Sequence, residues 1–302
     1  MQTLQKSRKQ IAFHYDVPSD FYGLWLDSQM IYSCAYFKTG KECLDEAQSN
    51  KLDLICRKLR LKPNERLLDI GCGWGGLMVH AAKNYGVKAR GITLSREQFH
   101  FVNDLIQRKG LSSKCEVFLT NYRELGGENV YDKLVSVGMF EHVGINNLDG
   151  YFAVAHRLLK DRGLFLNHGI TKKEKWRSRN PSSEFLEKHI FPGGQLDQLH
   201  HVVELTEKND FEILDVESLR PHYAITLRRW VERLQARKSE ALQIVDEETY
   251  RKWIIFMAAS AVAFEDGSVS VFQVLASKQA TDGLSRVPLT RADIYETEIM
   301  DF

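Results

Sequence analysis

Short apolar runs and longer amphipathic stretches alternate along most of the chain. Seven apolar runs have the length and composition of strands, and they cover residues 66–70, 87–94, 115–119, 134–137, 164–170, 211–216 and 269–276. Helical stretches separate most of these runs, among them 74–85, a segment that begins at Ser95, and 147–160. The alternation predicts an α/β fold with a seven-stranded, doubly wound, Rossmann-like sheet.

Helical segments are also predicted outside this alternating part. Residues 45–60 place Ala47, Leu52, Ile55 and Leu59 near helical spacing, which indicates an amphipathic helix before the sheet. The stretches 172–202 and 223–264 are longer than strand connections need, so we expect them to form a helical cap.

Composition and charge narrow the class of protein. The net charge of +1 gives no overall field that would attract nucleic acid, so we expect no nucleic-acid partner. The five cysteines show no CxxC spacing, which favours reduced thiols in the cytoplasm over disulfides or a metal site. They are Cys34, Cys43, Cys56, Cys72 and Cys115. No stretch approaches 18 uninterrupted apolar residues, so no membrane span is predicted.

The sequence LLDIGCGWGG at 67–76 carries the clearest chemical signal. An apolar strand ends at Asp69 and runs into glycines, whose missing Cβ allows a sharp turn and close approach of a ligand. The spacing is GxGxG, which suits S-adenosylmethionine better than the GxGxxG that binds a dinucleotide. Where an acidic ribose ligand would stand, Thr93 and Gln98 offer contacts instead. The alternative is a tight packing turn without a ligand.

Several further strings carry a family resemblance when they are taken together. They are HYD at 14–16, YSCAYF at 32–37, LDIGCGWGG at 68–76, GITLSREQ at 91–98, VGMFEHVG at 137–144 and IFPGG at 190–194. In this order they resemble the cyclopropane fatty acid synthase family, which includes the mycolic acid cyclopropane synthases. The resemblance implies a class I methyltransferase fold and methylene transfer from S-adenosylmethionine to the cis double bond of an unsaturated acyl chain in a phospholipid.

The resemblance also implies which residues form the site. The expected cofactor residues are Tyr15, Tyr32, Ser33, Gly71, Gly73, Thr93, Leu94, Gln98, Tyr122 and Arg123. The family uses a bound bicarbonate ion as the base, and its ligands correspond to Cys34, Glu141, His168, Ile170 and Tyr223. Asn121 departs from the Asp of many bacterial phospholipid enzymes, which puts a contact there in doubt. Phe140, Tyr15 and Trp25 are candidates to face a developing cation, with simple core packing as the alternative.

The resemblance suggests a division of one domain, 1–302. Residues 1–62 would cover the cofactor, 63–171 would bind it, 172–264 would form the cap and lipid-binding elements, and 265–302 the last strand and tail. The basic and aromatic residues of 172–179 and 227–238 predict transient contact with the inner face of the membrane, against the alternative of a packed helix with a solvated basic edge.

Three functions stay open on the sequence alone. They are a cyclopropane synthase, a relative that gives a methyl-branched or oxygenated chain or methylates an amine, and a lipid- or cofactor-binding protein without turnover. The oligomeric state is open as well, with a homodimer as one alternative.

Overall fold

A computed structural model describes residues 17–173, 196–280, 282–283 and 287–295. These residues form a seven-stranded sheet with the order β3-β2-β1-β4-β5-β7-β6. The strands are β1 Arg66–Ile70, β2 Lys88–Thr93, β3 Cys115–Leu119, β4 Tyr131–Val137, β5 Leu159–Lys172, β6 Phe211–Ser218 and β7 Val269–Lys278. Strands β1 to β5 pair in parallel, whereas β7 runs antiparallel to both β5 and β6. The predicted α/β fold with seven strands is confirmed.

The helices lie between the strands and before β1. They are α1 Ser19–Gly23, α2 Leu44–Lys58, α3 Gly76–Asn84, α4 Arg96–Arg108, α5 Leu148–Leu158, α6 Leu199–Lys208, α7 Arg220–Ala236, α8 Lys238–Ile244, α9 Glu247–Glu265 and α10 Ala292–Tyr295. The helix predicted from residue 74 begins two residues later, because Gly75 adopts a left-handed φ of 82° before it. The predicted run 223–264 is divided into α7, α8 and α9. The last division falls at Asp246, whose side chain accepts a hydrogen bond from the Thr249 N–H at 2.7 Å.

Strand β5 is longer than its apolar run. It begins at Leu159, where the predicted helix 147–160 was expected to continue, and it reaches Lys172. The start of the strand was not predicted because the sequence Lys160 to Gly163 is polar. In this sequence Arg162 takes a positive φ of 61°, and the pairing with β4 shifts register nearby. The apolar pattern therefore identified only the buried centre of the strand.

Three hydrophobic clusters hold the sheet and its helices together. One packs α2, α3 and α4 on one face, and a second packs α5 and α6 on the other. The third is rich in aromatic rings and joins α1 to α7 and α9. At its centre Trp25 and Trp230 are fully buried, with ring centroids 5.4 Å apart.

Helix α7 contains most of the second basic segment, 227–238. Its apolar residues Leu227, Trp230 and Leu234 are buried inside the protein. On its exposed side, Arg228 pairs with Glu265 at 2.8 Å and Arg233 pairs with Asp45 at 2.8 Å. Only the arginine edge could therefore face a lipid surface, and part of its charge is already neutralised. Most of the first basic segment, 174–179, lies outside the described residues.

Candidate active site

A cavity opens at the carboxyl ends of β1, β2 and β4. Ligands of open α/β sheets bind at this edge, where loops follow the strands. The volume of the cavity is about 160 Å³. Its floor begins at Asp69 and Ile70, the last residues of β1, and its walls include Thr93 and Val137 at the ends of β2 and β4.

The glycine turn forms one side of this cavity. Gly71, Gly73 and Gly75 all have positive φ, at 81°, 54° and 82°. The Gly71 and Cys72 N–H groups both donate to the Ile92 carbonyl at 3.0 Å, which ties the turn to β2. A Cβ at Gly73 would meet nothing within 4 Å, so this backbone faces open space. The turn thus presents bare backbone to a ligand, as its spacing predicts.

The structure brings the predicted cofactor residues together. Those that it describes all line the same cavity: Tyr32, Ser33, Gly71, Gly73, Thr93, Leu94, Gln98, Tyr122 and Arg123. Tyr15 lies outside the described residues, as do the strings at 14–16 and 190–194. The position of the described residues agrees with the predicted role, and the role itself stays a prediction.

Thr93 and Gln98 are joined to each other. The Thr93 hydroxyl donates to Gln98 Oε1 at 2.7 Å and accepts from the Ser95 N–H at 3.1 Å. Because its own proton is used, Thr93 orients Gln98, whose amide group is left as a donor at the cavity wall. Ser95 also caps α4 by accepting from the Gln98 N–H at 3.3 Å.

Asn121 serves a local structural purpose. Its side-chain oxygen accepts from the Arg123 N–H at 3.0 Å, and it caps a short 3₁₀ turn at Tyr122–Glu124. The Arg123 guanidinium donates to the Tyr122 hydroxyl at 3.0 Å. The turn therefore holds Tyr122 and Arg123 against the cavity, and Asn121 itself also lines it.

The segment that carries Tyr32 and Ser33 is fixed by helix α2. Gln48 donates to the Ser33 carbonyl at 2.8 Å, and the Lys51 ammonium donates to the Ser33 hydroxyl at 2.9 Å. The Tyr32 ring lies 5.3 Å from that of Trp230, between centroids. One segment thus connects the cavity to the aromatic cluster.

Glu141 lies beside the cavity on a 3₁₀ turn after β4. Its Oε1 accepts from the Ile170 N–H at 2.7 Å. Strand β4 ends at Val137, opposite His168, so the Ile170 N–H has no strand partner on that side and the carboxylate takes its place. The other oxygen, Oε2, is buried and has no hydrogen-bond partner among the described residues. Burial raises the pKa of Glu141 to about 7, although the bond from Ile170 lowers it.

His168 lies on β5, two residues before Ile170. Its Nδ1 is 3.2 Å from the side-chain nitrogen of Gln273, the residue opposite it on β7. Burial lowers the pKa of His168 to about 3, so the ring is neutral. Because the Gln273 amide donates to Nδ1, the ring proton lies on Nε2. That N–H is buried and has no acceptor among the described residues.

Cys34 and Tyr223 lie near the same backbone group. The Cys34 Sγ is 3.7 Å from the Leu219 carbonyl, which also accepts from the Tyr223 N–H at 3.1 Å. Leu219 in turn donates to Val271, the residue paired with Ile170 in the sheet. Hydrogen bonds and strand pairing therefore link the chain segments that carry the five predicted bicarbonate ligands. Burial raises the pKa of the Cys34 thiol, which keeps it protonated and unsuited to nucleophilic attack.

Phe140 and Trp25 take positions in the core. Phe140 packs against the sheet over Gly169, where an added Cβ would overlap its ring. Trp25 is fully buried within the aromatic cluster. The alternative of simple core packing therefore describes both residues. The ring centroids of Trp25 and Tyr32 are 5.4 Å apart.

Several cavity residues were missed by reasoning from the sequence, and three of them are ionisable. Lys51, Asp69 and His142 all line the cavity. Lys51 had a visible signal, because it lies four residues from both Ala47 and Ile55 and so interrupts an apolar helical face with a charge. His142 follows Glu141 in the same turn, and burial lowers its pKa to about 4.

Known proteins resemble this chain in sequence and fold. A family model described as mycolic acid cyclopropane synthetase matches residues 2–274. A "Probable fatty acid methyltransferase" of Pseudomonas putida is 44% identical over 287 residues, which span 94% of this chain and 73% of that relative. The cyclopropane-fatty-acyl-phospholipid synthase of Escherichia coli (strain K12) is 39% identical over 276 residues, which span 90% of this chain and 68% of that one.

A solved structure agrees over most of the chain. Mycolic acid cyclopropane synthase CmaA1, crystallised with SAH and CTAB, superposes with a TM-score of 0.85 at 37% identity, covering 90% of this chain and 98% of that chain. The fold and cavity define an S-adenosylmethionine-dependent methyltransferase. More narrowly, this chain belongs to the mycolic acid cyclopropane synthetase family, which confirms the resemblance read from the sequence.

Proposed function

We propose that the enzyme transfers a methylene group from S-adenosylmethionine to the cis double bond of an unsaturated fatty acyl chain in a phospholipid, forming a cyclopropane ring. The observation that carries this proposal is that two of the predicted bicarbonate ligands each keep a buried polar atom without a partner, beside residues that line the cavity. Glu141 Oε2 is an acceptor and His168 Nε2 is a donor, and neither has a partner among the described residues. Buried polar atoms without partners are costly, and a small polar ligand that reached both would satisfy them.

A bicarbonate ion fits these groups. It has oxygens that accept from the His168 Nε2–H, and a hydroxyl that could donate to Glu141 Oε2. When bound, bicarbonate supplies a base. The protein's part is to orient that base with neutral His168 and with Glu141, which Ile170 holds in place.

The proposed chemistry also needs an apolar surrounding. The alkene attacks the sulfonium methyl, a carbon–carbon bond forms, and S-adenosylhomocysteine leaves. The acyl chain then carries a positive charge on the neighbouring carbon. Loss of a proton from the new methyl closes the ring, so the lipid gains CH₂ and loses its double bond. Tyr32 and the rings of Trp25, Trp230 and Trp253 around it would exclude water while the charge exists.

The lipid substrate requires contact with a membrane surface. Among the described residues, no helix has the length and apolarity to cross a bilayer. We therefore infer peripheral contact, through the arginine edge of α7 and the basic segment 172–179, at the cytoplasmic face. The five cysteines form no disulfide, which is typical of a reducing compartment.

Lipid mass spectrometry of cells that express the protein tests this function. We expect a gain of one CH₂ with loss of the double bond, and we expect Glu141→Gln to bind S-adenosylhomocysteine but form little cyclopropane. Gln keeps the acceptor for Ile170 and replaces the ionisable oxygen with an uncharged amide nitrogen. Full activity of this variant would refute the role given to Glu141.

A second product is tested by the same experiment. The P. putida relative carries the broader name of a probable fatty acid methyltransferase. A methyl-branched or oxygenated chain, an intact double bond, or methylation of an amine would replace cyclopropane formation as the function. No release of S-adenosylhomocysteine with any unsaturated lipid vesicle would leave a binding protein without turnover.

A further inference from the structure

We infer that Lys51 is a positioning residue that makes the cavity selective for the amino-acid end of the cofactor. By donating to Ser33 Oγ, Lys51 leaves the Ser33 hydroxyl as a donor to a ligand carboxylate. Asp69 lies on the same cavity wall and can pair with the ammonium of the same ligand. The inference rests on the proposed use of S-adenosylmethionine and assigns a role to a residue outside the predicted site.

The first observation is that Lys51 is buried without an ion-pair partner in contact with its ammonium. Its exposure is 2%, and its ammonium bonds only to the neutral Ser33 hydroxyl at 2.9 Å among the described residues. Lys58, two turns later on the same helix, shows the contrast. It is fully buried, but Asp215 and Glu217 lie 3.0 Å and 2.5 Å from its ammonium. A buried charge is costly unless it is paired. Asp27 and Asp69 act on Lys51 from beyond 4.0 Å in the described structure, so its ammonium can still take a ligand carboxylate as a hydrogen-bond partner.

The second observation is the direction of the Ser33 hydroxyl. Because Ser33 Oγ accepts from the Lys51 ammonium, its own proton is directed elsewhere. No acceptor for that proton is present in the described part of the chain. Ser33 and Lys51 both line the cavity, so the free donor and the cation are presented to the same ligand.

The third observation is the carboxylate on the same cavity wall. Asp69 ends β1 just before the glycine turn, is 2% exposed and lines the cavity. Burial raises the pKa of Asp69, and the charge of Lys51 lowers that pKa by a smaller amount. No ion pair within 4.0 Å joins the two side chains in the described structure. A separated cation and anion on one wall are complementary to a zwitterion, which the methionine end of the cofactor is.

The contacts of Lys51 also explain why this end of the ligand matters for the reaction. Ser33 is followed by Cys34, which belongs to the predicted bicarbonate group. A ligand carboxylate held at Ser33 would therefore order the segment that joins the cofactor cavity to the predicted bicarbonate group.

Three ligands test the inference by isothermal titration calorimetry. S-adenosylhomocysteine has the complete amino-acid end, its decarboxylated analogue keeps only the ammonium, and 5′-methylthioadenosine has neither. We expect Lys51→Met to weaken S-adenosylhomocysteine binding about 10- to 100-fold, the range for losing a charge-assisted hydrogen bond. The affinity for the other two ligands should stay the same. An equal loss for all three ligands, or no loss for any, would overturn the inference.

Two further measurements cover a variant that fails to fold. In the wild-type protein, the decarboxylated analogue should bind about 10-fold or more weakly than S-adenosylhomocysteine, because it lacks the same charge-assisted bond, and equal affinities would contradict the inference. Ser33→Ala should show the same selective loss as Lys51→Met.

Lys133→Met is the matched control for these variants. Lys133 is also buried, at 8% exposure, but it does not line the cavity, so its substitution should leave the three ligand affinities unchanged. A selective loss in this control would contradict the role of Lys51. If wild-type protein bound no S-adenosylhomocysteine, the proposed function itself would fail, a result distinct from lost selectivity.

Discussion

Glu141 should make the protein less stable as the pH rises, because its carboxyl is buried. Burial raises its pKa from 4.5 to about 7. Between these values the folded state binds more protons than the unfolded state. Stability from this group is therefore greatest at low pH and declines as the pH rises towards 7. Glu141→Gln removes the titration, keeps an acceptor for the Ile170 N–H, and so isolates the effect.

The size of the effect follows from the shift in pKa. Each pKa unit corresponds to about 1.4 kcal/mol. The rise from 4.5 to about 7 corresponds to about 3 kcal/mol once the carboxyl is fully ionised in both states. Most of this change falls between about pH 5 and pH 8, where we expect about 2 to 3 kcal/mol. The glutamine of the variant would leave a buried amide donor without a partner, but that cost does not depend on pH.

Urea denaturation of wild type and Glu141→Gln at several pH values between about 5 and 8 measures the difference in unfolding free energy. The variant should gain about 2 to 3 kcal/mol relative to wild type across this range. Glu46→Gln, at an exposed position, controls for the change in net charge. A difference between variant and wild type that stays constant with pH would refute a perturbed Glu141. A product assay at the same pH values should show wild-type activity rising with ionisation, while stability falls.

Two substitutions test packing around the site. Gly169→Ala places a Cβ against the Phe140 ring, so we expect the free energy of unfolding to fall by about 1 to 3 kcal/mol. Product formation should fall further, since Glu141 follows Phe140. An unchanged melting temperature would contradict this. Lys58→Met removes the ammonium 3.0 Å from buried Asp215, which Arg291 also pairs with. Unfolding in urea should therefore show a loss of about 2 kcal/mol with unchanged cofactor affinity, and full stability would contradict the structural role.

The central strands of the sheet were predictable because they are buried on both faces. Continuous apolar runs followed by glycine or polar turns identify such strands whatever the tertiary contacts. Prediction failed where a strand or helix end depended on one residue's backbone. Strand β5 begins in the polar sequence Lys160 to Gly163, and its pairing there depends on the positive φ of Arg162. The direction of β7 depends on connections that local patterns do not describe.

The two halves of the site differed in how far the sequence could predict them. The glycine turn is local, because strand, turn and helix are adjacent in sequence, and spacing alone identified the type of ligand. Glu141 is held against β5, two residues beyond His168, because the end of β4 leaves the Ile170 N–H without a strand partner. Only the family resemblance could connect such distant residues from the sequence.

Lys51 shows what neither spacing nor resemblance supplied. In the sequence it is a charge on the apolar face of a helix, which either an internal ion pair or a ligand could explain. Lys58 lies on the same helix and is explained by Asp215 and Glu217. The distinction requires the structure, because it depends on which groups surround each ammonium. Buried ionisable groups that have no ion-pair partner in the described structure, such as Lys51 and Glu141, reduce the stability of the fold. They are retained where a ligand or a reaction makes use of them.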